Sequence, residues 1–155
     1  MNLFAYGTLM TVEGLRDVLG PRADALVFRP ARLPGWRRIW NVFRAEWNGG
    51  VLNLEPSPGA VVVGILVEGL EEDDFQKLDV QEATHLPRET VYVEPFTGEV
   101  VPAQVYRKRK GNHTGKPSGR YKTVVLERAY RSGWEIYESV CRGTVDAAGN
   151  PLTFG

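Results

Sequence analysis

The sequence predicts one α+β domain, and three observations carry that expectation. A nearly all-apolar run, "NLFAY", opens the chain in the manner of a strand covered on both faces. Extended apolar segments then come in neighbouring pairs, each pair joined at a Pro-Gly turn signal. Two later stretches instead repeat their apolar residues at the helical period. Strands with helices interspersed, and no repeat or linker, make one α+β unit, with residues 1–142 as the domain and 143–155 as a loosely held tail.

Each element has its own local reason. After "NLFAY", Thr11 is a suitable N-cap for a short helix with Val12, Leu15, Val18 and Leu19 on its core side, and Gly20-Pro21 ends it. "ALVFRPARLPGWRRIWNVF" reads as two extended segments joined near Pro34-Gly35. "VLNLEPSPGAVVVGILVEGL" reads as two strands around Pro56-Ser57-Pro58-Gly59. Acidic residues Glu71 to Asp74 suit the positive end of a helix dipole, and Phe75 and Leu78 begin that helix's apolar stripe. "TVYVEPFTGEVVPAQVYRK" forms a hairpin turning at Thr97-Gly98, followed by the polar loop "RKRKGNHTGKPSG". A last helical stripe runs through Val125, Ala129, Ile136 and Val140, with Gly133 as its weak point.

Composition narrows the function classes. Nineteen Lys and Arg balance nineteen Asp and Glu, so no global field favours nucleic acid or an anionic membrane. No apolar run approaches the ~18 residues a bilayer span needs. The start lacks the basic and apolar regions of a signal peptide, and Cys141 has no second cysteine to pair with. The expectation is a cytoplasmic protein. Two histidines and one cysteine make a zinc cluster unexpected.

Two features could carry chemistry. Positions 78 and 82 lie three and seven residues after Phe75, so Glu82 continues the core-facing stripe. A carboxylate facing a low-dielectric interior resists ionisation, and its pKa rises toward the range useful for acid–base work. Asp79 lies near the same face and is a rival; a helix fraying after Asp79 would leave Glu82 in solvent. The second feature is Tyr6-Gly7-Thr8-Leu9. Gly7 permits positive φ and close approach, and free amides ahead of a helix can cradle an anion, although a plain turn has the same signature. It is neither a Walker loop nor a dinucleotide fingerprint. Cys141 sits late in a helix, no Gly-x-Ser-x-Gly elbow occurs, and "RKRK" (107–110) fits a solvated loop better than a phosphate grip. Trp36, Trp40, Phe43 and Trp47 fit core and rim packing.

"FAYGTL", "GILVEGL…LDVQE" and "GKPSGRY" occur in that order, and together they resemble the γ-glutamylcyclotransferase-like superfamily, also called AIG2-like. "RLPGWRRIWN" and "VLNLEPSPGAVVVGIL" also look like that family's second to fourth strands; the resemblance covers most of residues 1–135. It implies a small mixed β-barrel-like sheet with flanking helices, its pocket opening where the YGTL loop meets the glutamate. It assigns the catalytic carboxylate to Glu82 and leaves Asp79 structural. It makes Tyr6, Gly7, Thr8 and Leu9 substrate-binding, adds Tyr121 from "PSGRY", and adds Tyr106 from "AQVY" as a looser match. One departure stands out: where the family carries a tyrosine two residues before an arginine, this chain has Leu86, and His85 is the available substitute.

The resemblance implies a reaction that turns a γ-glutamyl amide into 5-oxoproline and a free amine. The substrate's own α-amine attacks the γ-carbonyl, so the enzyme supplies orientation and proton transfer rather than a nucleophile, and the implied reaction calls for no metal or cofactor. The implied partner is a small γ-glutamyl molecule, with neither nucleic acid nor membrane. The alternative is a non-catalytic module that binds a small carboxylate on the same fold.

Overall fold

The computed structural model describes residues 1–152 and 154. Its strands are β1 (Asn2–Ala5), β2 (Val27–Arg44), β3 (Gly49–Glu68), β4 (Glu89–Pro95), β5 (Val101–Val105) and β6 (Val145–Asp146). Its helices are α1 (Val12–Leu19), α2 (Glu72–Gln81), α3 (Gly119–Ser132) and α4 (Trp134–Gly143).

Strand order β3-β1-β5-β4-β2 closes on itself because β2 also pairs with β3. The result is a five-stranded mixed barrel, with β6 added outside it along β2. All pairings within the ring are antiparallel except β1 with β5. That exception positions the site. Two parallel neighbours end on the same rim, so the chain leaves β1 at Tyr6 beside the place where it leaves β5 at Tyr106. The Tyr6 hydroxyl donates to the Tyr106 carbonyl. The hydrophobic core on the two faces of this sheet includes Leu3, Phe4, Leu33, Leu54, Leu66 and Val93, each at most 1 % exposed.

The expected breaks in the strand regions are bulges. β2 runs unbroken through Pro34-Gly35, and β3 through Pro56–Gly59. The register steps from Pro34↔Val61 to Trp36↔Pro56, so four residues of β3 loop out of the ladder instead of reversing the chain. Gly35 and Gly59 absorb the distortion at positive φ (86° each). The reversal falls at 45–48, where Asn48 takes the left-handed conformation.

The helices follow their caps. The Thr11 side chain accepts from Gly14 N–H, and Gly20 ends α1 at φ 65°. Glu71 and Asp74 form a capping box at the start of α2. Gly133, at φ 140°, splits the long C-terminal stripe into α3 and α4. The segment after α4 is not loose throughout: Thr144 is buried, and Val145 and Asp146 pair with Ile39 and Trp40 of β2.

Candidate active site

The carboxylate of Glu82 is buried although the residue is not helical. α2 stops at Gln81, and Glu82 is its C-cap, with its N–H on the Leu78 carbonyl (2.8 Å). The stripe of Phe75 and Leu78 still aims the side chain inward, and the residue is 7 % exposed. Burial holds its carboxyl above the ordinary carboxylate range, while the charge and hydrogen bond of Arg44 oppose that shift.

Arg44 is the partner that sequence reading missed. It closes β2, donates from Nη1 to Glu82 Oε2 (3.1 Å) and from Nη2 to the Gln81 carbonyl (2.8 Å), and also pairs with Glu46. One guanidinium therefore holds the carboxylate and satisfies the end of the helix that carries it. The only sequence signal was an arginine at the end of an apolar strand run, a pattern shared by many solvated arginines.

Asp79 does different work. Its Oδ1 accepts from the Tyr106 hydroxyl (2.7 Å) and from Arg88 Nε (2.9 Å), so it braces a neighbouring side chain. Burial, followed by the hydrogen bond and charge of Asp79, raises the Tyr106 phenol well above its ordinary pKa.

The loop at 6–9 meets Glu82 across a narrow cleft with a cavity volume of about 40 Å³. Tyr6, Gly7, Thr8, Leu9, Glu82, Tyr106 and Tyr121 all line it. Gly7 has φ −137°, so the expected positive φ is not used; what requires glycine is proximity. A Cβ there would sit 2.8 Å from the Tyr121 hydroxyl. The first hydrogen bond of the following turn is Met10 N–H to the Gly7 carbonyl (3.3 Å). The N–H groups of Gly7, Thr8 and Leu9 therefore precede it, with no acceptor among the described residues.

Tyr121 is fixed by the "PSGRY" turn. Ser118 caps α3 by accepting from Tyr121 N–H (3.2 Å), donates its hydroxyl to the Trp47 carbonyl (2.6 Å), and gives its own N–H to the Gly50 carbonyl (2.8 Å). Trp40 and Trp47 each meet the Tyr121 ring edge to face, at 5.8 and 5.0 Å. Two of the tryptophans read as packing residues thus set one wall of the cleft. Burial, with the Glu82 charge, raises the Tyr121 phenol far above its ordinary value.

His85, not Leu86, faces the cleft. Its Nε2 lies 3.0 Å from the Leu52 carbonyl, whereas Leu86 is 39 % exposed. Burial pushes the imidazole down to about 4, so it is neutral at pH 7. "RKRK" is not simply a solvated run: Arg107 is buried over the Trp36 ring, pairs with Glu89 and donates to the Leu54 carbonyl. Among the described residues, no three His, Cys, Asp or Glu side chains converge as a metal-binding group. No helix there is long and apolar enough to cross a membrane.

A family model described as gamma-glutamyl cyclotransferase, AIG2-like, matches residues 3–143. The chain belongs to that family. Solved structures share its fold. A γ-glutamyl cyclotransferase superposes with TM-score 0.78 at 20 % identity, over 90 % of this chain and 84 % of its own. An uncharacterized Homo sapiens protein gives 0.77 at 21 % identity, over 99 % and 90 %. A yeast γ-glutamyl cyclotransferase specific to glutathione gives 0.54 at 15 % identity, over 97 % and 81 %. A search of curated proteins returns no significant match. Membership in the AIG2-like family gives the coarse function, a γ-glutamyl cyclotransferase-like enzyme acting on small γ-glutamyl molecules.

Proposed function

We propose that the protein converts a γ-glutamyl amide, of an amino acid or an amine, to 5-oxoproline and the free amine, with Glu82 as general base and then general acid. The observation that carries this reading is the buried Glu82 carboxylate, raised above its ordinary pKa and facing the loop of Tyr6 to Leu9 across one cleft. A carboxylate tuned upward takes a proton from the α-ammonium more readily and returns it to the leaving amine. The amides of Gly7, Thr8 and Leu9 hold the negative end of the glutamyl group or the oxyanion formed at its γ-carbon. Tyr106 and Tyr121, both kept as neutral phenols, fix the folded glutamyl chain so that amine and carbonyl meet. Cytoplasmic placement suits a chain whose single cysteine stays a thiol.

The decisive experiment measures 5-oxoproline release from a panel of γ-glutamyl amides by wild type and Glu82→Gln. Loss of the acid–base group is expected to slow turnover by about 10²–10⁴-fold. Wild-type rates in the variant would remove Glu82 from the chemistry. The second reading, a carboxylate-binding module, rests on the Arg44–Glu82 ion pair, which also makes sense as a purely structural tie. It gains if wild type binds 5-oxoproline and turns over no member of the panel.

A further inference from the structure

Two arginines grip the 6–9 loop from behind, and the chemistry above does not use them. Arg38 is 1 % exposed and, among the described residues, pairs with no carboxylate. It donates to the carbonyls of Tyr6 (2.8 Å) and Val63 (2.8 Å) and to Ser139 Oγ (2.9 Å). Burial pulls its pKa down to about 10, which leaves it charged at neutral pH. Arg128, on α3, donates from Nη1 to the Thr8 carbonyl, and it too pairs with no carboxylate among the described residues. α1 leaves room for that bond. A Cβ on Gly14 would overlap the Thr8 carbonyl oxygen and lie 2.8 Å from Arg128 Nη1.

The gripped carbonyls alternate. Tyr6 C=O belongs to the peptide that carries Gly7 N–H, and Thr8 C=O to the peptide that carries Leu9 N–H. In a trans peptide the two groups point in opposite directions, so a carbonyl tied to a guanidinium sends its N–H away from it. A cation on the carbonyl also polarises the amide and strengthens its N–H as a donor. Burial of a charged arginine without a carboxylate is costly, and it is tolerated where hydrogen bonds and a function hold it.

We propose that Arg38 and Arg128 are positioning residues that turn and polarise the Tyr6–Gly7 and Thr8–Leu9 peptides, making the Gly7 and Leu9 N–H groups a matched anion-binding pair. Their two positive charges lie behind the loop and offset the negative charge of Glu82, so that a carboxylate or an oxyanion can enter beside an ionised base. This deepens the cyclotransferase reading and rests on it for the identity of the anion.

The test uses Arg38→Met, Arg128→Met and Gly14→Ala, with Arg38→Lys and Arg128→Lys as charge-keeping controls. Amide resonances of Gly7 and Leu9 are followed by ¹H–¹⁵N NMR, first free and then titrated with acetate as a minimal carboxylate. Arg38→Met is expected to move the Gly7 amide upfield, and Arg128→Met and Gly14→Ala the Leu9 amide. Each is expected to weaken acetate binding, and the lysine variants to restore part of it. kcat/KM on a γ-glutamyl substrate falls on the order of 10-fold, less than the 10²–10³ typical of deleting a donor outright. Unmoved amides, or unchanged acetate affinity in folded variants, would overturn the proposal. Arg128 and Gly14 act from outside the barrel, so they decide the matter even if Arg38→Met does not fold. A wild type that turns over no γ-glutamyl compound would defeat the cyclotransferase reading alone; the amide shifts and the acetate titration would still judge this one.

Discussion

Arg44 Nη1 stands 3.1 Å from Glu82 Oε2, with both side chains no more than 10 % exposed. Two opposing influences therefore act on the same carboxyl: desolvation favours the proton and Arg44 favours its loss, with desolvation prevailing. Arg44→Met removes only the second. Breaking a buried pair in this way is expected to cost about 3 kcal/mol of stability and to raise the Glu82 pKa further. The ascending limb of the kcat/KM–pH profile should move to higher pH. Adding Glu82→Gln to Arg44→Met should cost less than the sum of the two, as a double-mutant cycle by chemical denaturation would show.

Glu82 also leaves a signature in stability. Its folded pKa lies above its unfolded one, so the folded state binds more protons there. Its contribution is fully present below the unfolded value and is lost as pH rises through the folded value. Wild type should therefore lose ground relative to Glu82→Gln as pH increases from the acid range toward neutrality. A pH series of melting temperatures for the two proteins checks the sign.

His85 acts at the opposite end of the scale. Burial lowers its pKa to about 4, and unfolding restores it to an ordinary 6.5. The folded state then binds fewer protons between those values, so its contribution is present above 6.5 and is lost as pH falls toward 4. The full effect is about 3 kcal/mol at 1.36 kcal/mol per pKa unit. His85→Gln should flatten the acid limb of the stability curve. An acid limb as steep as that of wild type would mean that His85 is not held neutral.

Gly7→Ala places a methyl 2.8 Å from the Tyr121 hydroxyl. Overpacking of this kind costs ~1–3 kcal/mol, and the atom that must give way lines the cleft. Activity is expected to fall about 10-fold or more, because a small misplacement of a positioning group is amplified in the rate. Tyr121→Phe removes the clashing oxygen, so the double variant should be more stable than Gly7→Ala alone, measured by thermal unfolding.

Much of this site could be read in the sequence where one local rule sufficed. Helical spacing alone brought Glu82 to the core side, even though α2 ends one residue earlier. Tyr121 came instead from the family resemblance that "PSGRY" carries, and it lines the cleft, held there by the Ser118 cap three residues before it. Arg38, Arg44 and Arg128 could not be read in this way. Each acts through contacts 32 to 120 positions away along the chain, from Arg44 to Glu82, Arg38 to Tyr6 and Arg128 to Thr8. Which arginine turns inward is decided by barrel closure, not by its neighbours in sequence. The same limit explains the bulges at Pro34-Gly35 and Pro56–Gly59. Turn residues mark a local distortion, but only the partner strand decides whether the chain reverses or continues.

The stretch from Lys108 to Ser118 has almost no regular structure, yet it is sewn to the barrel along its length. Lys108 N–H goes to Asn53 Oδ1, Asn112 and His113 N–H both go to the Asn41 carbonyl, and Ser118 N–H goes to Gly50. Such a segment should open only together with the β2–β3 ribbon, and its amides should exchange with solvent at the ribbon's pace rather than a surface loop's. In that sense the wall behind Tyr121 melts with the scaffold, and the cleft has no separate unfolding event by which to lose it.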